Sequence, residues 1–182
     1  MPLSLAAYLQ HHPTEAPTAA ALQAFFTRTA PADLYRRDNF DGHLTASAFV
    51  VDAAAETLLL IHHRGLDRWP QPGGHIEPGD GSLMAAALRE VHEEVGIRAA
   101  DLRLLGDAAV PLDIDTHRIP AHPRKGEPAH DHHDLRWAFA KTRHTALALE
   151  TAAVKGARWV DFAAAARMPA FARVIPKLRK LI

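Results

Sequence analysis

Apolar positions along this chain fall into two periods. His43–Val51 (HLTASAFVV) and Thr57–His63 (TLLLIHH) read as strands, introduced by an Asp41-Gly42 turn signal and parted by a polar-tipped alanine loop. The second is a nearly continuous apolar run, as expected of a strand buried on both faces. Leu102–Leu105, Ala108–Asp115, His132–Lys141 and Val154–Val160 read as further strands, with Thr116–Asp131 a long His- and Pro-rich loop. The helical period appears in Leu83, Ala87, Val91 and Val95, one stripe of a short central helix with Ser82 as candidate N-cap and Gly96 at the left-handed stop. Ser4–Gln10 and Ala19–Thr29 form a helical preface, in which Leu22, Phe25 and Phe26 share a face. At the other end Asp161 can cap Phe162–Arg167; Met168-Pro169 then precedes a basic amphipathic helix, Phe171–Leu181.

Strands interrupted by one central helix, then more strands and a terminal helix, predict an α/β fold with a mixed sheet between helical layers. Residues 1–40 are expected to be an N-terminal helical extension capping the core, and 41–182 the main domain. The extension is too small to fold alone.

Composition narrows the function. The chain has 182 residues, 48% of them hydrophobic, enough for a sizeable core. Twenty-one basic residues balance 21 acidic ones, so no global field recruits nucleic acid or an anionic membrane. Cysteine is absent, which excludes disulfides, thiol catalysis and a cysteine zinc ribbon. No signal peptide is evident and Leu58–Ile61 is too short to span a bilayer, so a cytoplasmic protein is expected.

The chemistry concentrates in Gly73–Ile97, GGHIEPGDGSLMAAALREVHEEVGI. Glu90, Glu93 and Glu94 stand at i, i+3, i+4 near a helix end. Like charges at that spacing repel, and the helix C-terminus disfavours anions. Arg89 can relieve one of them, Glu93 at i+4, but not three. The triplet is either a solvated acidic face or a hard-cation site, and the flexible Gly-Gly and Pro78-Gly79-Asp80-Gly81 turns before it favour close approach to a ligand.

The stretch resembles the Nudix box, G-x5-E-x7-R-E-U-x-E-E-x-G-U with U aliphatic. Gly74, Arg89, Glu90, Val91, Glu93, Glu94, Gly96 and Ile97 match; Asp80 stands for the first glutamate, with one extra residue before Arg89. Aspartate has the shorter reach, which puts a bond from Asp80 to Arg89 in doubt. The resemblance implies an α/β/α sandwich with a mixed sheet. It also implies hydrolysis of the pyrophosphate bond of a nucleoside diphosphate linked to another group: a nucleotide sugar, an ADP-ribose-like compound or a nucleoside triphosphate. The alternative is a non-catalytic Nudix-fold sensor or regulator. By the resemblance, Gly73, Glu90, Glu93 and Glu94 would hold Mg²⁺ or Mn²⁺, and Arg89 would orient the glutamates. Candidates for the base are Glu94 in the box and, outside it, Glu127, Asp131 and Asp134, with Glu150 behind them. Partners are expected to be a small nucleotide-type substrate and a second copy of the chain in a homodimer, with no nucleic acid or membrane.

Substrate contacts are expected from Arg64, Trp69, His75, Arg118 and His130, with His117, Arg124 and Lys125 as further phosphate contacts. Trp69 lies in the loop before the glycines and could line a pocket for a base, while Trp137 and Trp159 are core candidates. Alternation along a strand puts His130, His132 and Asp134 on one face, where they could bind a transition metal.

Overall fold

The computed structural model describes residues 4–123 and 126–182. Strand β1 (His43–Asp52) is buried along all but its last residue because it has neighbours at both edges and on both faces. One edge pairs in parallel with β6 (His130–Lys141), His43 opposite His132 and Ser47 opposite Arg136. The other edge is shared: β2 (Thr57–His63) pairs with its C-terminal end and the short β3 (Gly73–His75) with its middle, both antiparallel. The strand order is β4 (Leu102–Leu105), β6, β1, β2, β7 (Val154–Asp161), and β5 (Asp113–Ile119) also pairs with β6.

Alternation along each strand divides the apolar side chains between two cores. Leu44, Ala46, Ala48 and Val50 of β1, Leu59 and Ile61 of β2, and Leu135, Trp137 and Phe139 of β6 face one side. There they meet α1 (Leu5–His11), α2 (Ala16–Arg28) and α3 (Leu83–Val95) through Tyr8, Leu22, Phe25, Ala87, Val91 and Val95. Phe49, Val51, Leu58, Leu60, Ala138 and Ala140 face the other side, against α4 (Phe162–Ala165) and α5 (Val174–Arg179). This is the mixed sheet between helical layers that the sequence predicts.

The central helix obeys its caps. Ser82 Oγ accepts from the Ala85 amide at 3.0 Å, and Gly96 ends the helix at φ 75°. The N-terminal helices are welded to the sheet. The Tyr8 hydroxyl accepts from the Ile114 amide of β5 at 3.2 Å and bonds Glu15. Lys177 of α5 then bridges Glu15 at 2.5 Å and Asp113 at 2.8 Å.

Three boundaries differ from expectation. The strand sought at Ala108–Asp115 begins at Asp113 and runs to Ile119, and β6 starts at His130, so both ends of the supposed long loop belong to a hairpin with Ile119 opposite His130. Residues 115–119 of this arm are not buried, so they carry no apolar signal. The C-terminal helices are shorter than their patterns, and Asp161 makes no side-chain capping bond. Among the described residues no helix is long and apolar enough to cross a membrane.

Candidate active site

The glycine loop reaches α3 by way of β3. Pairing of Gly73 and Gly74 with Ser47 and Ala46 fixes the loop beside β1, and the Gly73 amide donates to Glu94 Oε2 at 3.0 Å. Gly74 lies against Glu90 so closely that a Cβ there would stand 2.6 Å from Glu90 Oε1. Arg89 binds the loop and the acids together. Its guanidinium donates to Glu93 at 2.8 Å, to Glu90 at 3.2 Å and to the His75 carbonyl at 2.7 Å.

The doubt over Asp80 is resolved against the expectation. Arg89 grips both its oxygens, Nε to Oδ1 at 3.0 Å and a terminal nitrogen to Oδ2 at 3.1 Å. The turn brings Asp80 close enough to offset the shorter side chain, since the Glu77 amide donates to Asp80 Oδ2 at 2.8 Å and the Asp80 amide donates back to the Glu77 carbonyl. Burial works to raise the Asp80 carboxyl, but the Arg89 bonds and the Glu77 amide outweigh it and hold it below its ordinary value.

The glutamates behave otherwise. Burial lifts Glu94 to about 8, against the Gly73 amide, and Glu90 to about 7, against Arg89. Glu94 is only 6% exposed. Arg89 does not reach it, so half-buried Glu90 and Glu93 at the rim share one arginine and buried Glu94 has only the Gly73 amide. An oxygen donor set short of positive charge fits a hard divalent cation.

The family model for the NUDIX domain matches residues 41–180. The chain belongs to the Nudix family. It is 45% identical over 56 residues to the asymmetrical bis(5'-nucleosyl)-tetraphosphatase of Sus scrofa, covering 31% of this chain and 37% of that protein. It is 35% identical over 92 residues to the 8-oxo-(d)GTP phosphatase of Mycolicibacterium smegmatis, covering 50% of this chain and 27% of that one. The chain therefore spans about a third of the length of these curated relatives. The crystal structure of a C. elegans Ap4A hydrolase binary complex superposes with a TM-score of 0.56 at 22% identity, over 75% of this chain and 93% of that one. That likeness carries the Nudix fold.

Around the Nudix box the expected substrate residues scatter. His75 ends β3 beside the loop. Arg64 is spent on the Thr151 carbonyl, at 2.9 and 3.2 Å. Arg118 binds Asp131 and the Ala129 carbonyl across the β5–β6 hairpin. Trp69 stacks on His62 at 4.8 Å, lies 4.0 Å from the Arg158 guanidinium and packs on the α4–α5 side of the sheet, so it lines no cavity at the box. Arg124 and Lys125 lie outside the described residues. Glu127 pairs with Arg37 at 3.7 Å.

That pair borders a cavity of about 830 Å³ between the box loop and residues 32–40, lined by Tyr35, Arg36, Arg37, Phe40, Asp80 and Glu127 among others. Sequence reasoning passed over the Tyr35-Arg36-Arg37 run, where two cations follow an aromatic just before the first strand.

The His130, His132, Asp134 grouping is corrected. Asp134 is committed to Arg136, Ser47, Thr45 and Gln71, at 2.8 to 3.3 Å. His43 joins His130 and His132 instead, because β1 and β6 run parallel with His43 facing His132. Burial holds His132 down to about 2 and also depresses His43.

Proposed function

We propose that this Nudix domain hydrolyses the pyrophosphate linkage of a nucleoside diphosphate joined to another group. The observation that carries the reading is the undercharged triplet packed under the glycine loop: Glu90 and Glu93 share Arg89, and Glu94, beyond its reach, accepts from the Gly73 amide. Glu90, Glu93, Glu94 and the Gly73 carbonyl would hold Mg²⁺, or Mn²⁺ in its place. Such an ion, when bound, screens phosphate charge and acidifies water.

The chain's own groups do the rest. Arg89 sets the rotamers of Glu90 and Glu93 and, through Asp80 and the His75 carbonyl, holds the loop against α3. Glu94 is the base in this reading: as an ionised carboxylate beside the ion it would hold the attacking water and take its proton. Glu127, at the cavity rim, is the base candidate outside the box. The cavity offers Tyr35 and Phe40 for a nucleobase and Arg36 and Arg37 for phosphate oxygens. The names of the tetraphosphatase and 8-oxo-(d)GTP phosphatase relatives support a nucleoside carrying linked phosphates.

The non-catalytic alternative drew its room from Asp80, and the two bonds from Arg89 to that residue favour the catalytic reading over it. The test is a product-resolved screen of nucleoside triphosphates, dinucleoside polyphosphates, nucleotide sugars and ADP-ribose with Mg²⁺ or Mn²⁺. Turnover of at least one compound, abolished by Glu93→Gln or Glu94→Gln, is expected. Silence across the panel with tight binding of one compound would establish the sensor reading instead.

A further inference from the structure

We propose that His43, His130 and His132 form a second metal site, separate from the box carboxylates, that takes a zinc-class transition ion. Their ligand nitrogens all lie within 4.8 Å of one another. Three elements of the fold converge to make this so. His43 and His132 are opposed on the parallel pair β1–β6, His130 follows on the same face of β6, and the Asn39 and Pro128 carbonyls steady two of the rings from the flanking loops.

Those two carbonyls decide the tautomers. A carbonyl oxygen only accepts, so His43 Nδ1 must donate to Asn39 at 3.2 Å and His130 Nδ1 to Pro128 at 2.8 Å. When such a ring is neutral its proton is on Nδ1 and Nε2 presents a bare lone pair. A ring N–H held by a carbonyl, with the other nitrogen turned to the ion, is the usual outer support of a metal-bound histidine.

The His43 lone pair has no partner: the residue is fully buried and, among the described residues, its Nε2 meets no donor. His130 Nε2 faces His132 Nε2 at 3.2 Å. Two nitrogens bound to one tetrahedral zinc at about 2.05 Å stand about 3.3 Å apart, which is nearly this separation. An ion would satisfy the orphaned His43 nitrogen and hold the two facing rings together.

Donor type selects the ion. Three imidazoles with no carboxylate among them favour Zn²⁺, Co²⁺ or Ni²⁺ over Mg²⁺, whereas the oxygen-rich box favours the reverse. The rings of His75 and His117 lie 5.2 and 5.7 Å from that of His132, so the fourth corner is bordered by imidazole as well. The site is also next to the box loop, since the His75 carbonyl takes a hydrogen bond from Arg89.

The experiment uses tag-free protein stripped with chelator and titrated with Co²⁺. One Co²⁺ per chain is expected, with the intense visible absorption of a tetrahedral ion, displaced by equimolar Zn²⁺ but not by millimolar Mg²⁺. His43→Gln and His132→Ala should each weaken binding by at least about tenfold, a ligand mattering no less than an outer-sphere partner, while Glu93→Gln and Glu94→Gln keep the spectrum. Zinc-edge anomalous diffraction from unaltered protein reads the site without any substitution; a peak among the three rings supports it. The proposal is overturned if the stripped protein takes up no Co²⁺ or Zn²⁺, if the spectrum survives His43→Gln, if it vanishes in the glutamate variants, or if the anomalous peak lies on the carboxylates. The substrate screen does not bear on it, so failure here leaves the hydrolase reading standing.

Discussion

Two adjacent glycines should respond in opposite ways to the same added methyl group. At Gly74 a Cβ would approach Glu90 Oε1 to 2.6 Å, and ordinary contact begins near 3.4 Å, so the carboxylate must retreat by about 0.8 Å. The obstacle is the end of a flexible side chain, so Gly74→Ala should cost under about 1 kcal/mol of stability. A displacement of that size at a ligand is costly for function; misplacement by about 1 Å can lose about a hundredfold in rate. At Gly73 the methyl would fall 2.2 Å from Ser47 Cβ and 2.8 Å from the Ala46 carbonyl oxygen, at φ 157°. Here the obstacle is the paired strand itself. Overpacking of about 1–3 kcal/mol and a comparable backbone strain should combine in Gly73→Ala. Urea denaturation and Mn²⁺ binding followed by electron paramagnetic resonance separate the two effects. Gly74→Ala is expected to keep its midpoint and lose Mn²⁺ affinity by about tenfold or more; Gly73→Ala is expected to lose several kcal/mol. Unchanged Mn²⁺ affinity in a fully folded Gly74→Ala would refute the assignment of Glu90 as a ligand.

Arg89→Lys keeps the charge but cannot span Asp80, Glu90, Glu93 and the His75 carbonyl with one ammonium. Calorimetry should find Mg²⁺ affinity reduced by about tenfold. Glu90 and Glu94 are carboxyls raised above the ordinary 4.5, so the folded chain holds protons that the unfolded chain has released. In chelator, their contribution should be full below about pH 4.5 and should fade as pH rises through 7 and 8, on the order of a few kcal/mol. Urea midpoints across that range should fall, and Glu94→Gln should flatten the fall; a rising curve would contradict the burial argument. Arg136 donates to Asp113, Asp115 and Asp134, of which Asp113 is fully buried. Arg136→Met leaves Asp113 with Lys177 and Arg173 but takes the cation from buried Asp134, and should cost about 3–5 kcal/mol in chemical denaturation.

The box was legible because its chemistry is local. Ser82, Gly96, the core stripe of α3 and the Arg89–Glu93 pair all follow from spacing within one helix, and each stands where the pattern put it. The Asp80–Arg89 bond was misjudged because side-chain length was weighed without the turn that carries it. Distant pairings left no mark in the sequence. Nothing in the chain announces that position 43 faces position 132, so His43 was missed and Asp134 taken in its place. The far end of β5 was read as loop for a related reason: an edge arm with exposed side chains does not alternate. Trp69 was read as a pocket aromatic from its position before the glycines, yet His62 and Arg158 had already claimed its ring.

The parallel union of β1 with β6 has a consequence for the birth of the molecule. Partners such as Ser47 and Arg136 are separated by 89 positions, and one edge of the strand from 43 to 52 stays open until its mate from 130 to 141 exists. During synthesis the first three-quarters of the polypeptide must therefore wait with that edge of the apolar strand unpaired. Such long-range closure is slow, and the interval before it is when a nascent chain of this topology is most in need of a chaperone.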